Sequence, residues 1–125
     1  MSSFLEVNTL YVKTREAWRE WLAKNHAVET QGVWLVYFKQ QSGKATLEYN
    51  ESVEEALCYG WVDSQIKKID EQKFARRFTP RNARSRWSGS NRKRVAELLE
   101  KGLMTEHGMV CVEAAKVSGL WNPED

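Results

Sequence analysis

Arg81, Arg84, Ser85, Ser88, Ser90 and Asn91 fall within eleven consecutive residues, and their side chains share one chemistry. Guanidinium groups fork onto phosphate or carboxylate oxygens, and hydroxyls and amides donate to the same acceptors. The run Ser88-Gly-Ser-Asn91 also holds several candidate N-caps, and the start of a helix presents unpaired amides toward an anion. Trp87 and Trp61 could floor such a pocket with apolar or stacking surface. Asp63, just after a helix exit at Gly60, could orient Arg77 or serve as acid or base beside a bound ligand. A carboxylate without a second carboxylate, a metal triad or a histidine defines no reaction. No catalytic residue, metal site or cofactor site is therefore assigned. A purely structural reading competes with the anion site: Ser88 only caps, Trp87 packs in the core, and the arginines pair with Asp63, Asp70 or Glu71.

Charge sharpens the contrast. Residues 73–94 hold nine Lys or Arg and no Asp or Glu, so the rest of the chain has ten basic and seventeen acidic side chains, a net of −7 within an overall +2. Clustered cations attract polyanions, unless they face the protein's own acidic surface. Phe74, Phe78 and Trp87 lie among these cations, a mixture that suits single-stranded nucleic acid. A nucleic-acid module is thus the alternative to a binder of a small anion or protein partner, and a small enzyme is the third reading. Cys58 and Cys111 are too few for a disulfide framework. They are expected to be reduced and buried in apolar helices, with His26 and His107 in no recognisable nucleophile motif.

The elements that must position these residues follow from periodicity. With 125 residues, 42% of them hydrophobic, the chain suits one α+β domain. About four helices are expected around a small, mainly antiparallel sheet containing 33–38, 61–70 and 73–79, and the six apolar residues of 33–38 read as its central strand. A short strand over 8–12 precedes a helix capped by Thr14, and a brief strand is expected over 46–49. Ser52 and Glu55 have capping-box spacing for the second helix, which Gly60 ends. Leu98 and Leu99 of a third helix are expected to meet Val110 and Ala114 of a fourth as a hairpin, with Met109, Val112 and Ala115 also buried. Trp121 and Pro123 should fold back. No apolar run reaches the ~18 residues that span a bilayer, and the start shows no secretory leader; no membrane insertion and a cytoplasmic location are the expectations.

Three stretches, Glu55-Ala-Leu-Cys-Tyr-Gly-Trp-Val-Asp63, Arg77-Phe-Thr-Pro-Arg81 and Ser85-Arg-Trp-Ser-Gly-Ser-Asn91, are followed by Gly102-Leu-Met104 and Gly108. Together they resemble the YdeI/OmpD-associated family, over about 18–121. The resemblance implies a nonenzymatic stress-protection role in bacteriocin protection or resistance to cationic antimicrobial peptides. It also implies association with an outer-membrane porin, to which the missing leader is opposed. A basic segment repels cationic peptides, so the resistance role implies indirect action or binding through the acidic remainder.

Overall fold

A computed structural model describes residues 8–122. The chain runs β1 (Thr9–Leu10), α1 (Arg15–Asn25), β2 (Val33–Phe38), α2 (Tyr49–Cys58), β3 (Trp61–Lys68), β4 (Lys73–Pro80), α3 (Gly89–Glu100) and α4 (Glu106–Ser118). The sheet has the order β1-β2-β4-β3, with β1 parallel to β2 and the other pairs antiparallel. This is the expected α+β fold of four helices and a mainly antiparallel sheet. No helix among the described residues is long and apolar enough to cross a membrane.

Local chemistry sets most boundaries. Thr14 Oγ1 accepts from the Ala17 amide, so the expected cap of α1 forms, and Thr105 Oγ1 caps α4 in the same way by accepting from the Gly108 amide. The β3–β4 turn is tied by Asp70, whose Oδ1 accepts from the amides of Gln72 and Lys73 at 2.8 and 3.1 Å. Val33, Leu35 and Tyr37 of β2 enter one core with Trp18 and Leu22 of α1, Leu57 of α2 and Phe78 of β4.

Several expectations are corrected. Residues 46–48 form no strand, and α2 begins at Tyr49 with Glu48 as its N-cap and no side-chain cap. Ser52 and Glu55 therefore lie inside the helix. The Ser52 hydroxyl receives the Tyr37 hydroxyl at 2.6 Å, and Glu55 binds Arg15 and Arg19. Their spacing suits two successive positions on a buried helix face as well as it suits a box.

The α3–α4 hairpin does not form either. Each helix packs principally on α2, and Leu99, Val110 and Ala114 are exposed while Leu98 is buried. Only Gly108, Val112 and Ala115 of α4 are buried, because α4 touches the core along one narrow stripe. Trp121 does fold back, its ring 4.9 Å from that of Trp87; Pro123 lies outside the described residues.

A bulge in β3 reverses its facing. Asp63 pairs with Phe78 while Gln65 pairs with the next residue, Arg77, leaving Ser64 as the extra residue. The side-chain alternation that starts at Trp61 therefore breaks at Ser64.

Candidate functional site

Where β3 and β4 meet the start of α3, an open groove of about 440 Å3 is lined by Asp63, Arg81, Asn82, Ser85, Arg86, Ser88 and Asn91, among others. Five of the residues expected at a site thus come together: Asp63, Arg81, Ser85, Ser88 and Asn91. They converge because the Arg81 amide donates to the Gly60 carbonyl at 2.9 Å, which holds the end of β4 against the entry to β3. The loop then returns to α3 through turns at Asn82, whose Oδ1 accepts from the Arg84 amide at 2.8 Å.

The others go elsewhere. Trp61 is fully buried, its indole N–H donating toward the His26 carbonyl at 3.4 Å, so it is core and not pocket wall. Arg77 lies on the other face of the sheet, where its Nη2 donates to the Gln31 carbonyl at 2.7 Å. The expected Asp63–Arg77 pair is absent, because the register sets Asp63 opposite Phe78, and Arg77, the next residue along β4, therefore faces the other side of the sheet. Asp63 instead accepts from the Tyr49 hydroxyl at 3.1 Å. Burial and this carboxylate raise the Tyr49 pKa. Arg84 and Ser90 are exposed and do not line the groove.

Ser88 caps α3, its Oγ accepting from the Asn91 amide at 3.1 Å, and that amide is thereby satisfied. The Arg81 guanidinium lies 3.9 Å from the centroid of the Trp87 ring and donates through Nη2 to the Arg86 carbonyl at 2.8 Å. Its Nε is buried without a hydrogen-bond partner among the described residues. Burial lowers the Arg81 pKa below the usual arginine value, since desolvation disfavours the cation. Trp87 is buried as the structural reading required, yet the carboxylate partners that reading supplied for the arginines are absent.

Among the described residues, Lys73 alone of the nine cations in 73–94 lies within 4.0 Å of a carboxylate, that of Asp70. Arg77, Arg81, Arg92 and Arg94 use neutral acceptors instead. Arg92 Nη1 donates to the Trp121 carbonyl at 2.8 Å, and Arg94 reaches Asn91 and Asn50 at 2.8 and 2.7 Å. The arginines of α1 behave oppositely: Arg15 contacts Glu54 and Glu55 at 2.9 and 2.6 Å, and Arg19 contacts Glu55 at 2.8 Å. Acidic side chains of α2 are thus directed to α1, and among the described residues Asp70 is the only carboxylate within ion-pairing distance of the basic segment.

Phe78 and Trp87 are buried, and Phe74 stacks on Tyr37 at 5.2 Å. The aromatic platform expected for stacking nucleic-acid bases is therefore absorbed by the core. Residues that the sequence did not single out include Asn82 and Arg86 at the groove and Arg76. The Arg76 guanidinium sits 4.3 Å from the Tyr49 ring centroid. Only the Arg-rich composition of the loop signalled Arg86, and nothing local marked Tyr49.

Residues 10–111 match a family described as a domain of unknown function (DUF8412). The chain belongs to that family. No curated protein and no solved structure matches the chain. The matched span of this DUF8412 member contains the entire groove and both cysteines.

Both thiols are free, Cys58 buried and Cys111 half-buried, so Cys111 is less enclosed than its apolar helix suggested. Burial pushes both thiol pKa values up, with Arg19 opposing it at Cys58 and Arg81 at Cys111. Reaction with a thiol reagent at pH 8 is expected to be slow at both and faster at Cys111, with Cys58 released only on unfolding. Mass-resolved labelling checks this; rapid native labelling of Cys58 would contradict its place in the core.

Proposed function

We propose that this protein is a nonenzymatic binding module that recognises an anionic group at the groove between the β3–β4 end and the start of α3. The observation that carries the reading is that, among the described residues, the arginines of 73–94 have no carboxylate partner, set beside the saturated arginines of α1. Cations whose partners are neutral keep their charge uncompensated and hold a surface potential that an anion or an acidic partner surface can use. The resemblance to the YdeI/OmpD-associated family supports a role in stress protection, with bacteriocin or cationic-peptide resistance as its setting. The positive groove favours indirect action over capture of the cationic peptide itself.

Thermal melts with and without phosphate at fixed ionic strength test the reading. Phosphate is expected to stabilise the protein by about 1 kcal/mol at ten times its dissociation constant. Arg81→Ala should remove much of that gain while lowering anion-free stability less than a core truncation would. Equal midpoints in the wild type would overturn the anion site. A nucleic-acid partner would instead show binding to an oligonucleotide that falls with salt as a power of several, against a slope near one for a single anion.

A further inference from the structure

The groove has a second compartment. A narrow slot of about 140 Å3 is lined by Ala83, Trp87, Val110, Cys111 and Ala114, together with Arg81 and Ser85, which also line the groove. Its walls come from the loop after β4 and from one flank of α4, and they are mostly apolar. Arg81 belongs to both compartments, stacked on Trp87 at 3.9 Å, with a buried Nε that finds no partner among the described residues. No described carboxylate lies within ion-pairing distance of it.

A half-buried cation at the edge of an apolar slot selects a ligand whose charge is joined directly to a small apolar body. Inorganic phosphate satisfies the cation but finds few donors along a wall of alanine, valine and tryptophan, so it would remain in the groove. A neutral hydrocarbon fills the slot but leaves the guanidinium as it was. Cavities of about 150 Å3 take up benzene-sized molecules, which sets the size of the apolar part. We propose that Arg81 and this slot bind a small hydrophobic carboxylate of about the size of benzoate, the carboxylate on Arg81 and the ring or branched chain against Val110, Cys111 and Ala114. This inference rests on the reading of the groove as an anion site and names its ligand class.

Calorimetric titration of the intact chain with benzoate, acetate, benzyl alcohol and phosphate, at pH 7 and constant ionic strength, tests it. Benzoate should bind about tenfold or more tightly than acetate, because the ring leaves water, and more tightly than benzyl alcohol, which lacks the charge. Ala114→Leu and Val110→Trp, both at exposed helix positions, should block the slot. Each should weaken benzoate by about tenfold while leaving phosphate within about twofold. Arg81→Gln should weaken both anions. Benzoate that binds no better than acetate, or that ignores both blocking variants, overturns the slot. If phosphate still binds in an Arg81-dependent way, the groove reading survives that failure. A chain that responds to neither anion defeats both.

Discussion

Gly108→Ala is expected to destabilise the protein by about 2 kcal/mol, although alanine is the better helix former by about 1 kcal/mol. A Cβ at Gly108 would stand 2.3 Å from the Cys58 carbonyl oxygen and 3.0 Å from that of Leu57. Both contacts are backbone, so neither can rotate away. The first turn of α4 is seated on the last turn of α2 at this point, where the Cys58 carbonyl accepts from the Thr105 hydroxyl and, at 3.2 Å, from the Thr105 amide. That carbonyl would otherwise be one of the orphan acceptors at a helix end. Making room for a methyl means lifting α4 off α2, with an overpacking cost of about 1–3 kcal/mol or more that exceeds the propensity gain. Gly89→Ala is the matched control. It is also in a helix, yet its added Cβ would meet nothing closer than the flexible Arg92 Nη2 at 3.7 Å, so it should be neutral or slightly stabilising. Urea denaturation of the two variants decides the matter; an unchanged midpoint for Gly108→Ala would show that α4 does not rest on those carbonyls.

The second large effect is expected at Glu55. Its side chain is 4% exposed and receives Arg15 Nε and Arg19 Nη1, each at 2.8 Å. Cutting one partner from a buried ion pair costs about 3–5 kcal/mol where the remaining charge is stranded. Here the arginine side chains are 28% and 30% exposed, so water recovers part of that. Arg15 also keeps Glu54, and Arg19 keeps the Leu103 carbonyl at 2.8 Å. Glu55→Ala is therefore expected near the lower bound, at about 3 kcal/mol. Glu55→Gln should lose less, since one amide oxygen still accepts. A urea midpoint that shifts equally for alanine and glutamine would mean that the side chain contributes by packing alone and not by joining α1 to α2.

These two residues also bear on what was legible in the sequence. Glu55, Gly60 and Gly108 all fall in the stretches that carry the family resemblance, and each has a packing explanation. Glu55 joins two helices and Gly108 lets two helices meet. Gly60 has φ +75° and would drive a Cβ into Cys111 Sγ at 2.7 Å. Nine residues of the three stretches line the groove, Asp63, Arg81, Ser85, Ser88 and Asn91 among them, so a motif of this kind mixes structural with binding positions. Composition cannot separate the two.

What the sequence determined by itself was whatever depends on near neighbours. The apolar run 33–38 became the buried strand β2, Thr14, Ser88 and Thr105 became caps, and the acid-free span 73–94 announced a cationic surface. Each follows from interactions across a few residues or from composition, which folding does not alter. What only the tertiary structure decided was facing and pairing. The extra residue at Ser64 appears only when β3 is laid against β4, and the same register, with Asp63 opposite Phe78, sends Arg77 to the other face. Ser52 and Glu55 have the spacing of a cap and of a buried helix face alike, and the approach of Tyr37, Arg15 and Arg19 chose the second. The slot beside Arg81 exists because a loop and a helix some thirty residues apart along the chain close on one another. Shape of that kind is set by which distant surfaces bury each other, and one-dimensional periodicity does not record it.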